Sequence, residues 1–216
     1  MIKIMISDPD LFAREGIKEM LTKHQDVNVV HEAADIPETV RGLKEARADV
    51  CILELSVARH SGLGLVRALK NQGNSIPLLV MSHCHERDFA LRAIRAGASG
   101  YLPKDCSAEQ LVYALRTTAD RRPYVSDTVC DMIVESLVDG RPKRQHDKLS
   151  DTDFEIFCLM AEGLTAARIA SICSLSVAVV RARRARIMER MALHSEAELV
   201  EYAIKRKLIS HSYPVL

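Results

Sequence analysis

The stretch that decides the fold is DVCILEL at residues 49–55, followed after a short loop by GLGLVRALKNQ at 62–72. The first segment is a short apolar run typical of a buried strand, and the second has the apolar spacing of an amphipathic helix. Glu54 is the exception, because burying an ionised carboxylate costs free energy unless it is paired or lies beside a polar cleft. The stretch therefore raises the question of what Glu54 does.

The same alternation of strand and helix occurs five times before residue 122. Strands are predicted at residues 2–7, 27–33, 49–55, 76–82 and 99–104. Helices are predicted at residues 10–24, 37–47, 62–72, 86–97 and 107–120. Five strands that are each followed by a helix predict an α/β fold, a doubly wound parallel sheet covered on both faces.

Polar side chains stand at the ends of four of these strands. They are Asp8, Glu54, Ser82 and Lys104. Because ligands bind beyond the carboxyl ends of the strands in sheets of this kind, we expect the four side chains to share one pocket.

The last third of the chain has a different pattern, with four short helical segments and no strand. A polar, basic segment containing Gly and Pro precedes it, and DTVCDMIVESLV at 127–138 is a possible helix. We predict a first domain at 1–122, a partly helical linker at 123–147 and an all-α helix-turn-helix domain at 148–216.

Charge differs between the two parts of the chain. Residues 1–140 hold 17 Lys/Arg against 20 Asp/Glu, whereas residues 141–216 hold 13 against 9. The predicted helix at 177–191 carries five arginines, and its apolar positions are expected to face the core: Val177, Val180, Ile187, Met188 and Met191. Such a helix is either a solvated charged face or a reader of the DNA major groove, and its place as the second helix of a helix-turn-helix favours double-stranded DNA as the partner.

Several other classes are disfavoured. The six cysteines form no CxxC pair, so a disulfide framework or a metal site is not expected. Gly62-Leu-Gly64 lacks the third glycine of a dinucleotide loop, and no catalytic arrangement stands out, so we expect neither a cofactor nor an enzyme. We expect no secretion signal and no membrane segment, which places the protein in the cytoplasm.

The chain resembles two-domain response regulators of the NarL/FixJ (LuxR-type) family. The resemblance is carried by LSDTDFEIFCLMAEG at 149–163, AREGI at 13–17 and AGASGYLPK at 96–104. It implies a receiver domain in which an Asp after the third strand accepts a phosphoryl group, beside a pair of acidic Mg²⁺ ligands. By that resemblance Glu54 occupies the phosphoacceptor position, Ser82 and Lys104 are the residues that contact the phosphoryl group, and Tyr101 is the switch aromatic.

Two departures from the family predict an atypical receiver that has lost Mg²⁺-dependent phosphorylation. Pro9 follows Asp8 where the second acidic residue is expected, although Asp10 comes next, and Glu54 replaces the Asp. The loop 56–60 also lacks the usual Pro-Gly. Glu54 then either imitates the phosphorylated state by reaching Lys104 and Ser82, or only stabilises the fold through a salt bridge. A conventional phosphorylated regulator, and a receiver controlled by a partner regulator or sensor kinase, remain alternatives.

The resemblance also implies residue roles in the second domain. The predicted DNA-binding residues are Arg181, Ala182, Arg183, Arg184, Ala185, Thr165 and Arg168, of which Arg181, Ala182 and Ala185 are the base-facing positions. Thr165 and Arg168, with Ser150, are predicted phosphate contacts. Family members bind DNA as dimers, and the last helix is the expected homodimer surface, through Leu199, Tyr202 and Ala203.

Overall fold

The computed structural model describes residues 1–55, 62–138 and 144–209. The chain divides into two compact units, Met1–Met132 and Ile133–Leu216. The predicted loop at 56–60 and part of the predicted linker, residues 139–143, lie outside the described residues.

The first unit alternates strands with helices. Its strands are β1 (Ile2–Ser7), β2 (Val27–Ala33), β3 (Val50–Leu53), β4 (Leu78–Ser82) and β5 (Gly100–Pro103). Its helices are α1 (Leu11–Leu21), α2 (Ile36–Glu45), α3 (Gly62–Asn71), α4 (Glu86–Ala96) and α5 (Ala108–Ala119). A sixth helix, α6 (Asp127–Val138), coincides with the possible helix in the predicted linker and contains the boundary between the units.

The five strands form one parallel sheet in the order β2-β1-β3-β4-β5. The predicted doubly wound α/β fold is therefore confirmed. Several elements are shorter than predicted, and the difference matters most in β3, which ends at Leu53 rather than at residue 55. Glu54 thus follows the strand, and its N–H donates to the Ser7 carbonyl at 2.8 Å. Glu54, the charged residue of this stretch, is therefore the first residue after the strand.

Side chains alternate between the two faces of the sheet, as strand geometry requires. Ile4, Ile6 and Ile52 belong to a buried cluster that includes Leu21 of α1 and Leu115 of α5. The interior strands β3 and β4 are buried along their whole length, so their polar residues stand at or just beyond their carboxyl ends. This is why the candidate site lies at one edge of the sheet.

Local signals explain where the helices of this unit begin and end. Asp10 caps α1 by accepting from the Phe12 N–H at 2.9 Å, and Ser107 opens α5 with a capping box completed by Gln110. Gly97 ends α4 in the left-handed region with φ 113°, a conformation that favours glycine.

The second unit is all helical in its described part. A 3-10 turn at Gln145–Lys148 precedes α7 (Asp151–Ala161), α8 (Ala166–Ile172), α9 (Val177–Met191) and α10 (Glu196–Lys205). The four predicted helices are confirmed, whereas the 3-10 turn was not predicted. Each helix begins with a Ser or Thr whose hydroxyl accepts an N–H three residues on, at 3.2–3.3 Å: Ser150, Thr165, Ser176 and Ser195.

Candidate functional site

The four strand-end residues of the first unit meet at one edge of the sheet. Asp8 follows β1, Glu54 follows β3, Ser82 ends β4 and Lys104 follows β5. Sheet-like hydrogen bonds fix them beyond the strands, since the Lys104 N–H donates to the Ser82 carbonyl at 3.0 Å. Asp8, Glu54 and Ser82 are all less than 5% exposed. The structure therefore brings together the side chains that the strand-end rule selected.

Lys104 lies between the two carboxylates. Its Nζ is 2.6 Å from Asp8 Oδ2 and 2.9 Å from Glu54 Oε2, and the lysine side chain is 9% exposed. Burial lowers the pKa of Lys104, but the charge of Glu54 and the hydrogen bonds to Asp8 and Glu54 outweigh it, so the pKa is raised. The lysine stays charged, and the three side chains together carry one net negative charge.

The second oxygen of Asp8 is also engaged. Asp8 Oδ1 accepts from the Asp10 N–H at 2.9 Å, while the exposed Asp10 side chain caps α1. Pro9, between them, is half-buried and has no carboxylate. Among the residues that the structure describes, no group of three or more His, Cys, Asp or Glu side chains could hold a metal ion.

Ser82 and Tyr101 line the side of the pocket formed by β4 and β5. The Ser82 hydroxyl accepts from the Cys84 N–H at 3.2 Å, and the buried Tyr101 hydroxyl donates to the Cys84 carbonyl at 2.7 Å. Burial is the main cause that raises the pKa of Tyr101 well above its ordinary value, so the phenol stays protonated and keeps donating. The aromatic ring is therefore fixed inside the unit.

The second candidate region is the surface of α9. Val180, Ile187 and Met191 are buried and hold the helix on its domain, as the apolar spacing predicted. The prediction was wrong for Val177, which is 37% exposed because it is the first residue of the helix. Met188 is half-buried.

Exposed residues of α9 include Arg181, Ala182 and Ala185, the three predicted base-facing positions. Arg181 has no ion-pair partner among the described residues. Thr165 and Arg168 are exposed at the start of α8, where the Thr165 hydroxyl accepts from the Arg168 N–H at 3.3 Å. These side chains are free to meet a ligand at the surface.

Three other arginines of α9 are paired within the domain, and two of them, Arg183 and Arg184, were predicted to bind DNA. Arg183 Nη1 lies 2.7 Å from Asp153 Oδ1, and Arg186 Nη2 lies 3.1 Å from both oxygens of the same carboxylate. Arg184 pairs with Glu196 at the start of α10. Sequence reasoning missed Asp153. Its carboxylate stands in the first turn of α7 among residues that the helix buries, and a charge at a buried position is the signal that could have pointed to it.

The predicted dimer residues on α10 are placed differently from the expectation. Leu199 and Ala203 are 1% and 0% exposed within the single chain, because they fill the core of the second unit. Tyr202 is half-buried, with its hydroxyl 2.8 Å from Nδ1 of the buried His146. Leu199 and Ala203 thus support α10 from inside, and the nearby Ile204, 42% exposed, is a surface residue of that helix. Dimerisation through α10 stays a prediction.

Comparison with known families agrees with both units. The response regulator receiver domain matches residues 4–116, and the luxR family of bacterial regulatory proteins matches residues 147–203. The chain is a luxR-family response regulator. Response regulators of this family are DNA-binding transcription regulators with a helix-turn-helix.

Relatives of this response regulator match nearly its whole length. The oxygen regulatory protein NreC of Staphylococcus epidermidis is 31% identical over 216 residues, which cover 96% of this chain and 99% of NreC. NreC of Staphylococcus aureus is 30% identical over 215 residues, with the same coverage. The match to NreC therefore covers both units of this regulator.

Solved structures show the same fold. RcsB from Salmonella enterica serovar Typhimurium, bound to the promoter rprA in the presence of the phosphomimetic BeF3⁻, has a TM-score of 0.76 at 20% identity, covering 93% of this chain and 97% of RcsB. The response regulator ChrA of a heme-sensing two-component system has a TM-score of 0.51 at 26% identity, covering 96% and 98%. Within the described ranges of this regulator, no helix has the length and apolarity needed to cross a bilayer.

Proposed function

We propose that this response regulator controls transcription with a receiver unit that acts without Mg²⁺-dependent aspartyl phosphorylation. The observation that carries the proposal is Lys104, whose ammonium already lies between two carboxylates at 2.6 and 2.9 Å. In the family this lysine pairs with the phosphoryl group on an Asp. Here Glu54, one methylene longer than Asp, supplies a negative oxygen to the same cation.

The donors near Asp8 support the proposal because they fit Mg²⁺ poorly. This ion requires near-octahedral oxygen ligands and is usually held by one or two carboxylates together with phosphate oxygens and water. One oxygen of Asp8 faces Lys104 and the other accepts from the Asp10 N–H. Pro9 has no side-chain oxygen, and the Asp10 carboxylate caps α1. We therefore assign no step of the function to the metal.

Two roles for Glu54 are consistent with this geometry. In the first, its charge stands in for a phosphoryl group and holds the receiver in its DNA-binding state. In the second, the ion pair with Lys104 only stabilises the unit. The roles differ in one respect: the first requires DNA affinity to depend on the charge of residue 54.

On DNA, we propose that α9 enters the major groove, with Arg181 reading a base edge and Thr165 and Arg168 contacting phosphates. Arg181 is exposed and unpaired among the described residues, and Thr165 stands at a helix start where N–H groups attract phosphate. RcsB has been solved bound to promoter DNA, which supports the same type of partner here. We propose that this regulator binds as a homodimer, in the cytoplasm where chromosomal DNA is accessible.

The test uses the unmodified full-length protein. We expect selection from random duplexes to recover a specific sequence, and incubation with a small phosphodonor and Mg²⁺ to leave the intact mass unchanged. A stable mass increase of one phosphoryl group, together with tighter binding, would refute the proposal.

A conventional phosphorylated regulator is the second candidate, and the retained pocket favours it. By the resemblance Ser82, Tyr101 and Lys104 hold the positions that the family uses, and Lys104 contacts Glu54, the residue at the phosphoacceptor position. The same mass measurement separates the two candidates. If phosphorylation is found, peptide mapping must place it on Glu54, or on Asp8, for the pocket to be its site.

A receiver controlled by another protein is the third candidate. Phe12 is 85% exposed and Leu11 is 54% exposed at the start of α1, next to the segment that follows β1. Under this reading a partner regulator or sensor kinase covers them. The test is to select bound genomic fragments with and without the candidate partner, and to repeat the selection with the Phe12→Ser variant. If the partner changes the selected fragments and Phe12→Ser abolishes that change, the result favours control by a partner protein.

A further inference from the structure

The five arginines of α9 are not equivalent. Arg183 and Arg186 both contact the carboxylate of Asp153 on α7, and Arg184 contacts Glu196 on α10. Arg181 and Arg190 are exposed and have no ion-pair partner within the described part of the chain. Most of the positive charge that would be expected to attract DNA is therefore already in contact with carboxylates of the same domain.

The Asp153 cluster differs from an ordinary surface ion pair. The Asp153 side chain is 2% exposed, whereas that of Glu196 is 71% exposed. Burial raises the pKa of Asp153, but hydrogen bonds from Arg183, Ser150 and Arg186 outweigh it and hold the pKa below its ordinary value. The carboxylate is ionised and needs its partners, since removing the partners of a buried charge is costly. An exposed pair is weak and opens readily.

Geometry decides which N–H groups remain available. A guanidinium presents its donors in a rigid plane, and bidentate contact with a phosphate uses one edge of that plane. Arg186 already directs Nη2 to both oxygens of Asp153, and Arg183 is only 28% exposed. Arg183 or Arg186 must therefore break its contact with the Asp153 carboxylate before the same edge of its guanidinium can bind a phosphate.

We propose that Asp153 is a positioning residue that keeps Arg183 and Arg186 from indiscriminate phosphate contacts and leaves Arg181 as the arginine of α9 that selects the DNA sequence. The inference deepens the proposed function and rests on α9 being the DNA-contacting helix. It reverses the expectation for Arg183, which the sequence placed among the DNA-binding residues. Phosphate contacts add affinity for every DNA sequence. Specificity therefore increases when Arg183 and Arg186 are held by Asp153 and Arg181 is left to contact the bases.

The experiment measures the salt dependence of binding to a generic duplex, using the full-length protein between about 50 and 200 mM salt. Each phosphate newly neutralised steepens the slope of log K against log salt by about 0.9. Asp153→Asn frees two arginines, so we expect a slope steeper by about 0.9 to 1.8 and a lower ratio of specific to generic affinity. An unchanged or shallower slope in the folded variant would overturn the proposal.

Two further variants serve as controls for the effect of Asp153→Asn on the salt dependence. Glu196→Gln removes the same charge beside the same helix, but its pair is exposed, so we expect a slope change well below that of Asp153→Asn. The triple variant Asp153→Asn, Arg183→Gln, Arg186→Gln removes the cluster without leaving a buried charge unpaired, and we expect it to retain the slope of the original protein. If Asp153→Asn fails to fold, the triple variant alone tests the proposal. A slope shallower than that of the original protein by about 1.8 would mean that both arginines already contact phosphates in the original protein, and the proposal would be wrong.

The outcome is separable from that of the proposed function. If the original protein selects no sequence, the proposed unphosphorylated regulator fails, but Asp153→Asn must still steepen generic binding. If neither protein binds a generic duplex even at low salt, the two arginines are not restrained DNA contacts and the inference about Asp153 fails.

Discussion

Replacing Glu54 with Gln removes one of the two negative charges that Lys104 contacts and keeps the length of the side chain. Gln retains an oxygen that can accept from Lys104, and Asp8 stays 2.6 Å from the ammonium. The loss is therefore the difference between a charge-assisted and a neutral hydrogen bond. Charged hydrogen bonds contribute about 1.5–3 kcal/mol and neutral ones about half as much, so we expect the free energy of unfolding to fall by about 0.8–1.5 kcal/mol.

Urea unfolding of the full-length protein measures this loss. The chain has no Trp, and three of its five tyrosines lie in the first unit, at 101, 113 and 124, so tyrosine fluorescence mainly reports that unit. With a slope of about 1–3 kcal/mol per molar urea, the midpoint should fall by about 0.3–1.5 M. Glu15→Gln is the matched control, because Glu15 pairs with Lys18 at the surface and is 58% exposed. We expect the control to shift the midpoint far less.

DNA affinity of the same variant separates the two roles of Glu54. If its charge stands in for a phosphoryl group, Glu54→Gln weakens specific binding although the protein remains folded. If Glu54 only stabilises the unit, affinity at temperatures well below unfolding is unchanged. A midpoint shift no larger than that of Glu15→Gln would refute the reasoning altogether, because it would mean that the contact at 2.9 Å carries no stabilising charge.

Three further predictions concern the second unit. Arg181→Ala should cost about 1–3 kcal/mol of discrimination at one base pair in a binding-site selection, whereas Arg190→Ala should leave the selected sequence unchanged; identical selections for both would exclude α9 as the reader. Ala192→Gly should raise the unfolding free energy by about 1 kcal/mol, since Ala192 ends α9 with φ 50°, and a destabilised variant would contradict this. Asp153, with its lowered pKa, contributes stability that is present above its ordinary pKa of 3.8 and is lost as pH falls through the folded value. Acid unfolding followed by circular dichroism should therefore be less steep in Asp153→Asn.

The pocket could be predicted from the sequence because it depends on chain order alone. Parallel strands end at the same edge of a sheet, so locating the ends of four apolar segments was sufficient to bring Asp8, Glu54, Ser82 and Lys104 together. The contact of Lys104 with both carboxylates was not predicted in full. Asp8 was expected as a metal ligand, and its distance to Lys104, 96 residues away, depends on side-chain positions that no local pattern encodes.

The family resemblance was less informative in the second unit. It named Leu199 and Ala203 as dimer residues of α10, but it could not tell whether these apolar side chains meet the domain core or another copy of the chain. It likewise named Arg183 as a DNA-binding residue of α9, because it could not show the carboxylate that pairs with it, 30 residues earlier on α7. A periodic pattern defines the faces of a helix, and only the packing of neighbouring helices decides what each face contacts.

Each unit contains a buried carboxylate within a cluster of charged side chains, and in each cluster the numbers of the two signs are unequal. In the first, Asp8 and Glu54 share the single cation Lys104, which leaves one negative charge at the edge of the sheet. In the second, Arg183 and Arg186 share the single carboxylate Asp153, which leaves one positive charge beside the predicted DNA surface. Since a further anion at the first cluster would add to a charge that is already negative, a phosphoryl group there needs a cation that the present donors fit poorly. The second cluster keeps attraction to DNA while restricting the arginines that could make it unselective, and the charge variants of Glu54 and Asp153 test the two halves of this reasoning independently.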